Sequence, residues 1–285
     1  MDDRTPAKTT SISPSDLATL IGGSAGPLLV DVRRAPAFAE DSRMIATAIR
    51  RQPETVGLWM AELPRQQPVV VYCVHGHEVG QNAAAALRQG GIDARYLEGG
   101  IEAWKAADLP TFRKSAVHDG SRSSRWVTRA RPKIDRLACP WLIRRFIDPQ
   151  AEIIYVPSES VLAEAEARQA EPFDIPGVPF SHVGDACSFD AFLRHFDLQA
   201  PGLDQLARIV RGADTSRLDL APQSAGLYAI SLGLSGIIDD DQALLAQGMI
   251  LYDALYRWCR DLQDETHAWP PKAVPPKRMP PEAAS

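Results

Sequence analysis

The sequence predicts an α/β protein: an N-terminal parallel sheet with helices on both faces, followed by an α-rich α+β C-terminal half. Three observations predict it. Short β-branched runs alternate with helical stretches up to about residue 113, the pattern of a parallel sheet with crossover helices. The stretch Val69-Val70-Val71-Tyr72-Cys73-Val74-His75-Gly76-His77-Glu78-Val79 places a cysteine between a buried strand and a helix. Beyond residue 126, helical periodicity dominates and strands become few.

The elements follow in order. Ser13-Pro14-Ser15-Asp16 has the composition of a helix N-cap, and Leu17, Leu20 and Ile21 supply the apolar face. Pro27 to Arg33 is an apolar strand ending in charge, and Ala35 to Glu40 is one or two helical turns. Met44 to Ile49 is expected as one weak strand. Thr55 to Leu63 is expected as a helix with Leu58, Trp59 and Leu63 on one face. After the Val69–Tyr72 strand, Gln81 onward is built of strong helix formers stopped by Gly90 and Gly91. Asp93 to Leu97 is a strand and Ile101 to Ala107 a helix. Ligands of open parallel sheets bind at the carboxyl ends of strands, which is where Cys73 falls. Loop and helix N–H groups converging there would stabilise negative charge on its sulfur.

In the second half, Trp126 to Arg129 and Ala151 to Val156 are strands, and Phe180 to Val183 a short one. Ile134 to Ile147 is a helix in which Pro140 must lie in the first turn or mark a kink. A helix follows from Ser158 to Arg168, then one over Phe189 to Phe196 capped by Ser188 or Asp185. Helices over 203–211, 225–237 and 242–262 complete the chain. The uncharged run 220–238 is expected as a core helix and its lead-in, since Pro222, Gln223, three serines and three glycines disqualify it as a membrane span.

Composition narrows the function. The 285 residues carry a net charge of -5, which gives no global case for nucleic-acid binding. The four cysteines, Cys73, Cys139, Cys187 and Cys259, include no C-x-x-C pair and fit reduced thiols in a cytoplasmic protein. The N-terminus shows no apolar signal region. From Trp269 the chain contains three Pro-Pro pairs, a disordered or polyproline tail in expectation. The resulting division is 14–113, a linker over 114–125, 126–262, and a tail over 263–285.

Asp31-Val32-Arg33, the strand-Cys73-loop and Tyr96-Leu97-Glu98-Gly99-Gly100-Ile101-Glu102-Ala103-Trp104 resemble a rhodanese (sulfurtransferase) domain over roughly 14–113. The resemblance implies that Cys73 carries a persulfide, and that Val74, His75, Gly76, His77, Glu78 and Val79 form its active-site loop. It implies that Asp31 and Arg33 support that loop. The six-residue loop, Cys73 through Glu78, implies sulfur rather than a phosphate ester as the reacting group. The sequence departs from the family where Glu78 stands in place of an arginine common in active members, and Val79 in place of a small hydroxyl residue. A glutamate there would repel thiosulfate. His75 and His77, if protonated, would partly offset it.

Residues 125–262 resemble the C-terminal domain of the chromate-resistance ChrB family, most closely at Trp126–Arg129, Arg131–Arg136, Ala138–Pro149 and His182–Phe189. Family membership implies a link to chromate tolerance. From Arg122 to Arg145 there are eight basic residues against one acid, Asp135. A tetrahedral dianion such as chromate needs converging cations. Arg129, Lys133, Arg136 and His182 are therefore the candidate oxyanion site, and an ion-paired, solvated face using Asp135, Asp148 and Asp185 is the alternative. His182, Asp185, Cys187 and His195 have mixed ligand types but no recognised metal spacing, so no metal or other cofactor is assigned. Cys139, Cys187 and Cys259 are expected to be structural. Two functional readings remain open. One is a sulfurtransferase with a sulfur donor and a thiol acceptor as partners. The other is a non-enzymatic oxyanion sensor with a degenerate N-terminal domain. Neither calls for a membrane or nucleic acid.

Overall fold

The computed structural model describes residues 9–23 and 25–265. The first half comprises β1 (Ser11–Ile12), α1 (Pro14–Ala18), β2 (Leu28–Asp31), α2 (Ala35–Glu40), β3 (Arg43–Ile45), β4 (Ile49–Arg50), α3 (Val56–Trp59), β5 (Val69–Tyr72), α4 (Glu78–Gln89), β6 (Ala94–Leu97), α5 (Gly100–Ala106) and β7 (Thr111–Arg113). Five strands pair in parallel in the order β1-β6-β5-β2-β4, and β3 pairs antiparallel with β7. The fold is rhodanese-like. Ser13 caps α1, accepting from Asp16 N–H at 3.1 Å, as its residue type requires.

Alternation along β5 positions the site. Val69, Val71 and Cys73 pack into the core with Trp59, Leu63, Ala83 and Leu87 of the α3–α4 side. Val70 and Tyr72 face the opposite core, with Leu17, Ile101 and Trp104. That second core continues without a break into the C-terminal half, through Met44 and Phe112 to Trp126, Phe146 and Phe196. Thr47 N–H donates to Phe146 O at 3.0 Å, Arg113 N–H to Phe196 O at 2.7 Å, and Arg43 pairs with Asp197 at 2.7 Å.

The second half comprises β8 (Arg125–Arg129), α6 (Asp135–Leu142), β9 (Glu152–Val156), α7 (Val161–Arg168), β10 (Glu171–Pro172), α8 (Ser188–His195), α9 (Leu203–Asp214), α10 (Ser224–Ile237) and α11 (Asp241–Asp261). A small parallel sheet, β10-β8-β9, is surrounded by these helices. Residues 114–124 form no regular element, yet His118, Gly120 and Ser124 are buried. Ser124 donates its N–H and hydroxyl to Asp148 at 2.6 and 2.7 Å.

Several expectations are corrected. Met44–Ile49 is two strands in different sheets, because a turn with Thr47 at φ +68° separates β3 from β4. Trp59 and Leu63 are buried but Leu58 is exposed, since the helix is broken by 3-10 turns that shift its face. Phe180–Val183 is not a strand: only isolated bridges join Phe180 to Phe173 and Val183 to Ala186. Neither Ser188 nor Asp185 caps α8. Cys187 does, with its N–H donated to Asp190 at 3.0 Å. Pro140 lies in the body of α6, not its first turn, and the helix widens into a π turn over Ile143–Ile147. The N–H that proline lacks leaves Arg136 O without its helical donor, and the Tyr155 hydroxyl donates to that oxygen at 2.9 Å. The run 220–238 is no core helix: α10 buries Ser224, Leu227, Ser231 and Ser235 and exposes Tyr228, Ile230, Leu232 and Ile237. Among the described residues no helix is long and apolar enough to cross a membrane. The apolar-poor first eight residues, and the proline-rich tail from residue 266, lie outside the described residues.

Candidate functional site

Cys73 follows directly on β5 and is 6% exposed. Its loop runs to the N-terminus of α4 at Glu78, three residues earlier than the helix formers alone suggest. Among the described residues no internal hydrogen bond takes the N–H groups of Val74 to Val79, which leaves that row of donors for a ligand. Gly80, in the first turn of α4, lets the helix approach the thiol: a Cβ there would lie 3.3 Å from Cys73 Sγ. His75, His77 and Glu78 are exposed, and Val74 and Val79 half-buried. The two histidine rings stand 5.9 Å apart.

The loop is clamped from behind by the glycine pair that opens α5. Ile101 and Glu102 donate their N–H groups to Cys73 O and Val74 O, at 3.0 and 3.1 Å. Gly99 and Gly100 both have positive φ, +67° and +58°. A Cβ on Gly100 would sit 2.4 Å from Cys73 O and 2.5 Å from Val74 O, and one on Gly76 (φ +69°) 2.6 Å from Gly99 N. The two chain segments are thus in backbone contact that only glycine permits.

Asp31 and Arg33 act at one remove. Arg33 Nη2 and Nε reach Asp31 at 2.6 and 2.9 Å, both residues being buried, and Arg33 also reaches Asp41 at 2.8 Å. The Tyr72 hydroxyl donates to the same Asp31 carboxylate at 3.1 Å. Burial, and then the negative Asp31, push the Tyr72 phenol well up. The network therefore fixes the residue before Cys73. An open cavity of about 370 Å³ reaches the loop at Val74, and its charged lining is Arg33 and Lys105 against Glu40, Asp41 and Glu102. Lys105 is itself paired with Asp41 and Glu102, at 3.1 and 2.7 Å.

The cations of the second half are only partly brought together. Arg129 and Arg136 both meet Asp174 Oδ2, at 2.7 and 3.2 Å. His182 Nε2 lies among three carboxylates, 3.1 Å from Asp214, 3.4 Å from Asp135 and 3.5 Å from Asp174. The hydrogen bond with Asp135 pushes the imidazole up to about 9, and burial followed by Asp135 pushes Asp214 up to about 8. Lys133 is exposed and joins none of this. The acids that pair are thus Asp135, Asp174 and Asp214. Asp148 instead holds Ser124, and Asp185 stands in an exposed turn. Asp174 and Asp214 went unnoticed in the sequence because they stand alone, some 40 residues apart.

Cys139, Cys187 and Cys259 are buried, and burial pushes all three thiols up, Cys259 to about 11. Cys73 packs into the α3–α4 core, and the cavity at its loop is not lined by Arg129, Arg136 or His182.

Residues 13–107 match the rhodanese-like domain family, and residues 126–259 match the ChrB C-terminal domain. Protein ChrB of Cupriavidus metallidurans is 34% identical over 132 residues, which cover 46% of this chain but only 39% of that protein. A sulfurtransferase of Allochromatium vinosum is 31% identical over 99 residues, 35% of this chain and 91% of the relative. A rhodanese-related protein from Thermoplasma volcanium aligns over 36% of this chain and 97% of its own, at 26% identity and a TM-score of 0.32. With its Cys73 loop and glycine clamp in place, the chain belongs to the rhodanese-like family and carries a ChrB C-terminal domain as its second half.

Proposed function

We propose that the protein is a sulfurtransferase in which Cys73 carries sulfane sulfur, working in chromate tolerance. The observation that carries the reading is the row of unengaged N–H groups in the loop that follows a cysteine at the carboxyl end of β5. In the first step the Cys73 thiolate attacks the outer sulfur of a donor. A new S–S bond forms, the donor's own bond to that sulfur breaks, and its remainder leaves with the electron pair. The loop N–H groups hold the anionic persulfide. An acceptor thiolate then attacks the terminal sulfur, forms its own persulfide and returns Cys73 as thiolate.

Charge supports a donor other than thiosulfate. Glu78 is exposed at the loop, and the adjoining cavity presents three acids and two bases, one of the bases buried against Asp31. A dianion is repelled there more than a donor of lower charge, such as mercaptopyruvate. The link to chromate rests on the ChrB half. Direct chromate binding by Arg129, Lys133, Arg136 and His182 has less support, because Asp174 occupies both arginines and Lys133 stands apart.

Intact-mass measurement after exposure to glutathione persulfide, mercaptopyruvate or thiosulfate tests the reading. The expected result is a 32-Da-class sulfur adduct, of about one sulfur atom, on wild type and none on Cys73→Ser. An unlabelled wild type, or equal labelling of Cys73→Ser, would overturn it.

A further inference from the structure

The second half contains a cluster that sulfur transfer does not use. His182 Nε2 and one carboxylate oxygen each of Asp135 and Asp174 all lie within 4.8 Å of one another, as do oxygens of Asp135 and Asp214 with Cys187 Sγ. The groups come from separate elements: Asp135 opens α6, Asp214 ends α9, Cys187 caps α8, and Asp174 and His182 belong to the connection after β10. Asp135 and Asp174 are 2% and 4% exposed, while the His182 side chain is 41% exposed. Buried carboxylates this close repel one another unless a proton or a cation lies between them; the His182 proton serves here, and an ion would take its place.

We propose that Asp135, Asp174, Asp214 and His182 bind one divalent first-row transition ion, with Cys187 at the wall of the site. The distances from His182 to the three carboxylates fit such an ion. Nitrogen and oxygen ligands at about 2.1 Å define ligand-to-ligand edges of about 3.4 Å in a tetrahedron and about 3.0 Å in an octahedron. The three edges from His182 Nε2 measure 3.1, 3.4 and 3.5 Å.

The surroundings orient the ligands as supporting groups do at metal centres. Arg129 and Arg136 hold Asp174 Oδ2 and turn Oδ1 toward His182. Ser188 donates its hydroxyl to Asp174 Oδ1 at 3.0 Å and its N–H to Asp135 at 3.3 Å.

Charge sets the class. Once the imidazole gives up its proton in favour of an incoming ion, three carboxylates with two arginines leave one negative charge, which suits a dication. One nitrogen among oxygens favours Mn²⁺, Fe²⁺ or Zn²⁺ over Ca²⁺, which takes an all-oxygen shell, and over Cu⁺, which takes sulfur. The exposed side of His182 leaves room for water or a small anion at the ion.

The test uses the full chain, stripped with EDTA, loaded with Mn²⁺ or Zn²⁺ and desalted. Elemental analysis should find a single ion per chain, and bound Mn²⁺ should show a broadened paramagnetic resonance signal. His182→Ala and Asp214→Asn should weaken binding at least roughly 10- to 100-fold, the scale of losses at metal sites. His75→Ala with His77→Ala, away from the cluster, should retain the ion. If Asp214→Asn fails to fold, the half-exposed His182→Ala still decides. No ion retained by wild type, or equal retention by wild type and His182→Ala, would overturn the proposal.

Discussion

Gly100→Ala is the most informative single change in the sulfur site. Its φ of +58° costs an alanine roughly 1–2 kcal/mol. The new Cβ would meet two backbone carbonyls, Cys73 O at 2.4 Å and Val74 O at 2.5 Å, which cannot swing aside as a side chain can. Overpacking of this kind costs about 1–3 kcal/mol, so the expected total is roughly 2–5 kcal/mol. Two other glycines separate the contributions. Gly177 has φ +84° with nothing within 4 Å of a built Cβ, so Gly177→Ala should show backbone strain alone. Gly57, in α3, has neither positive φ nor a neighbour within 4 Å, so Gly57→Ala should be neutral or stabilising by about 0.4–1 kcal/mol. Urea denaturation of the three variants, followed by tryptophan fluorescence, measures the series. Sulfur loading of Cys73 should fall in Gly100→Ala alone, because only there is the loop displaced. Equal midpoints for Gly100→Ala and Gly177→Ala would refute the argument that backbone contact, not φ, makes this glycine necessary.

Three further outcomes are expected. Asp31→Ala strands the buried Arg33 guanidinium and should cost about 3–5 kcal/mol in the same denaturation assay; a loss below 1 kcal/mol would mean that Asp41 alone satisfies the arginine. Tyr155→Phe removes the donor to Arg136 O and should cost about 1–3 kcal/mol, a loss that should vanish in Pro140→Ala, where the helical N–H is restored. His118 is buried, and burial lowers its pKa below the ordinary 6.5 despite Asp148 at 3.9 Å. The unfolded chain therefore takes the proton first. The His118 contribution should be constant above pH 6.5 and should lower stability as pH drops below it, and His118→Gln should reduce that slope in denaturation curves between pH 5 and 7.

The N-terminal half was largely legible because its signals are local. Val69 to Tyr72 are apolar in sequence and buried in fact, and the glycines of Leu97–Ile101 mark a backbone contact that their residue type alone announces. The second half shows where local signals stop. The basic run from Arg122 to Arg145 suggested an anion site, but charge along a chain does not say what it meets after folding. Arg145 forks onto Asp253 at 2.8 Å, 108 residues away, and Arg129 finds Asp174. α10 misled for a related reason. Its apolar residues implied burial, yet it turns serines inward, where Ser231 Oγ accepts from Ile134 N–H at 2.8 Å and Ser224 Oγ donates to Ile209 O at 3.0 Å. Those bonds depend on partners that no window of sequence contains.

The unbroken core between the halves bears on how such a chain could have been assembled. Joining two ready-made proteins end to end would leave each with its own closed interior and an open tether between them. Here Gly22, just after α1, leaves no space for a Cβ against Phe146 and Tyr256, at 2.8 and 2.7 Å, and Arg260 of α11 reaches back to Ile21 O at 3.1 Å. Residues so fitted to one another depend on each other across the seam. Exchanging either half for that of a relative would then yield mismatched seams, even where each donor half is sound on its own.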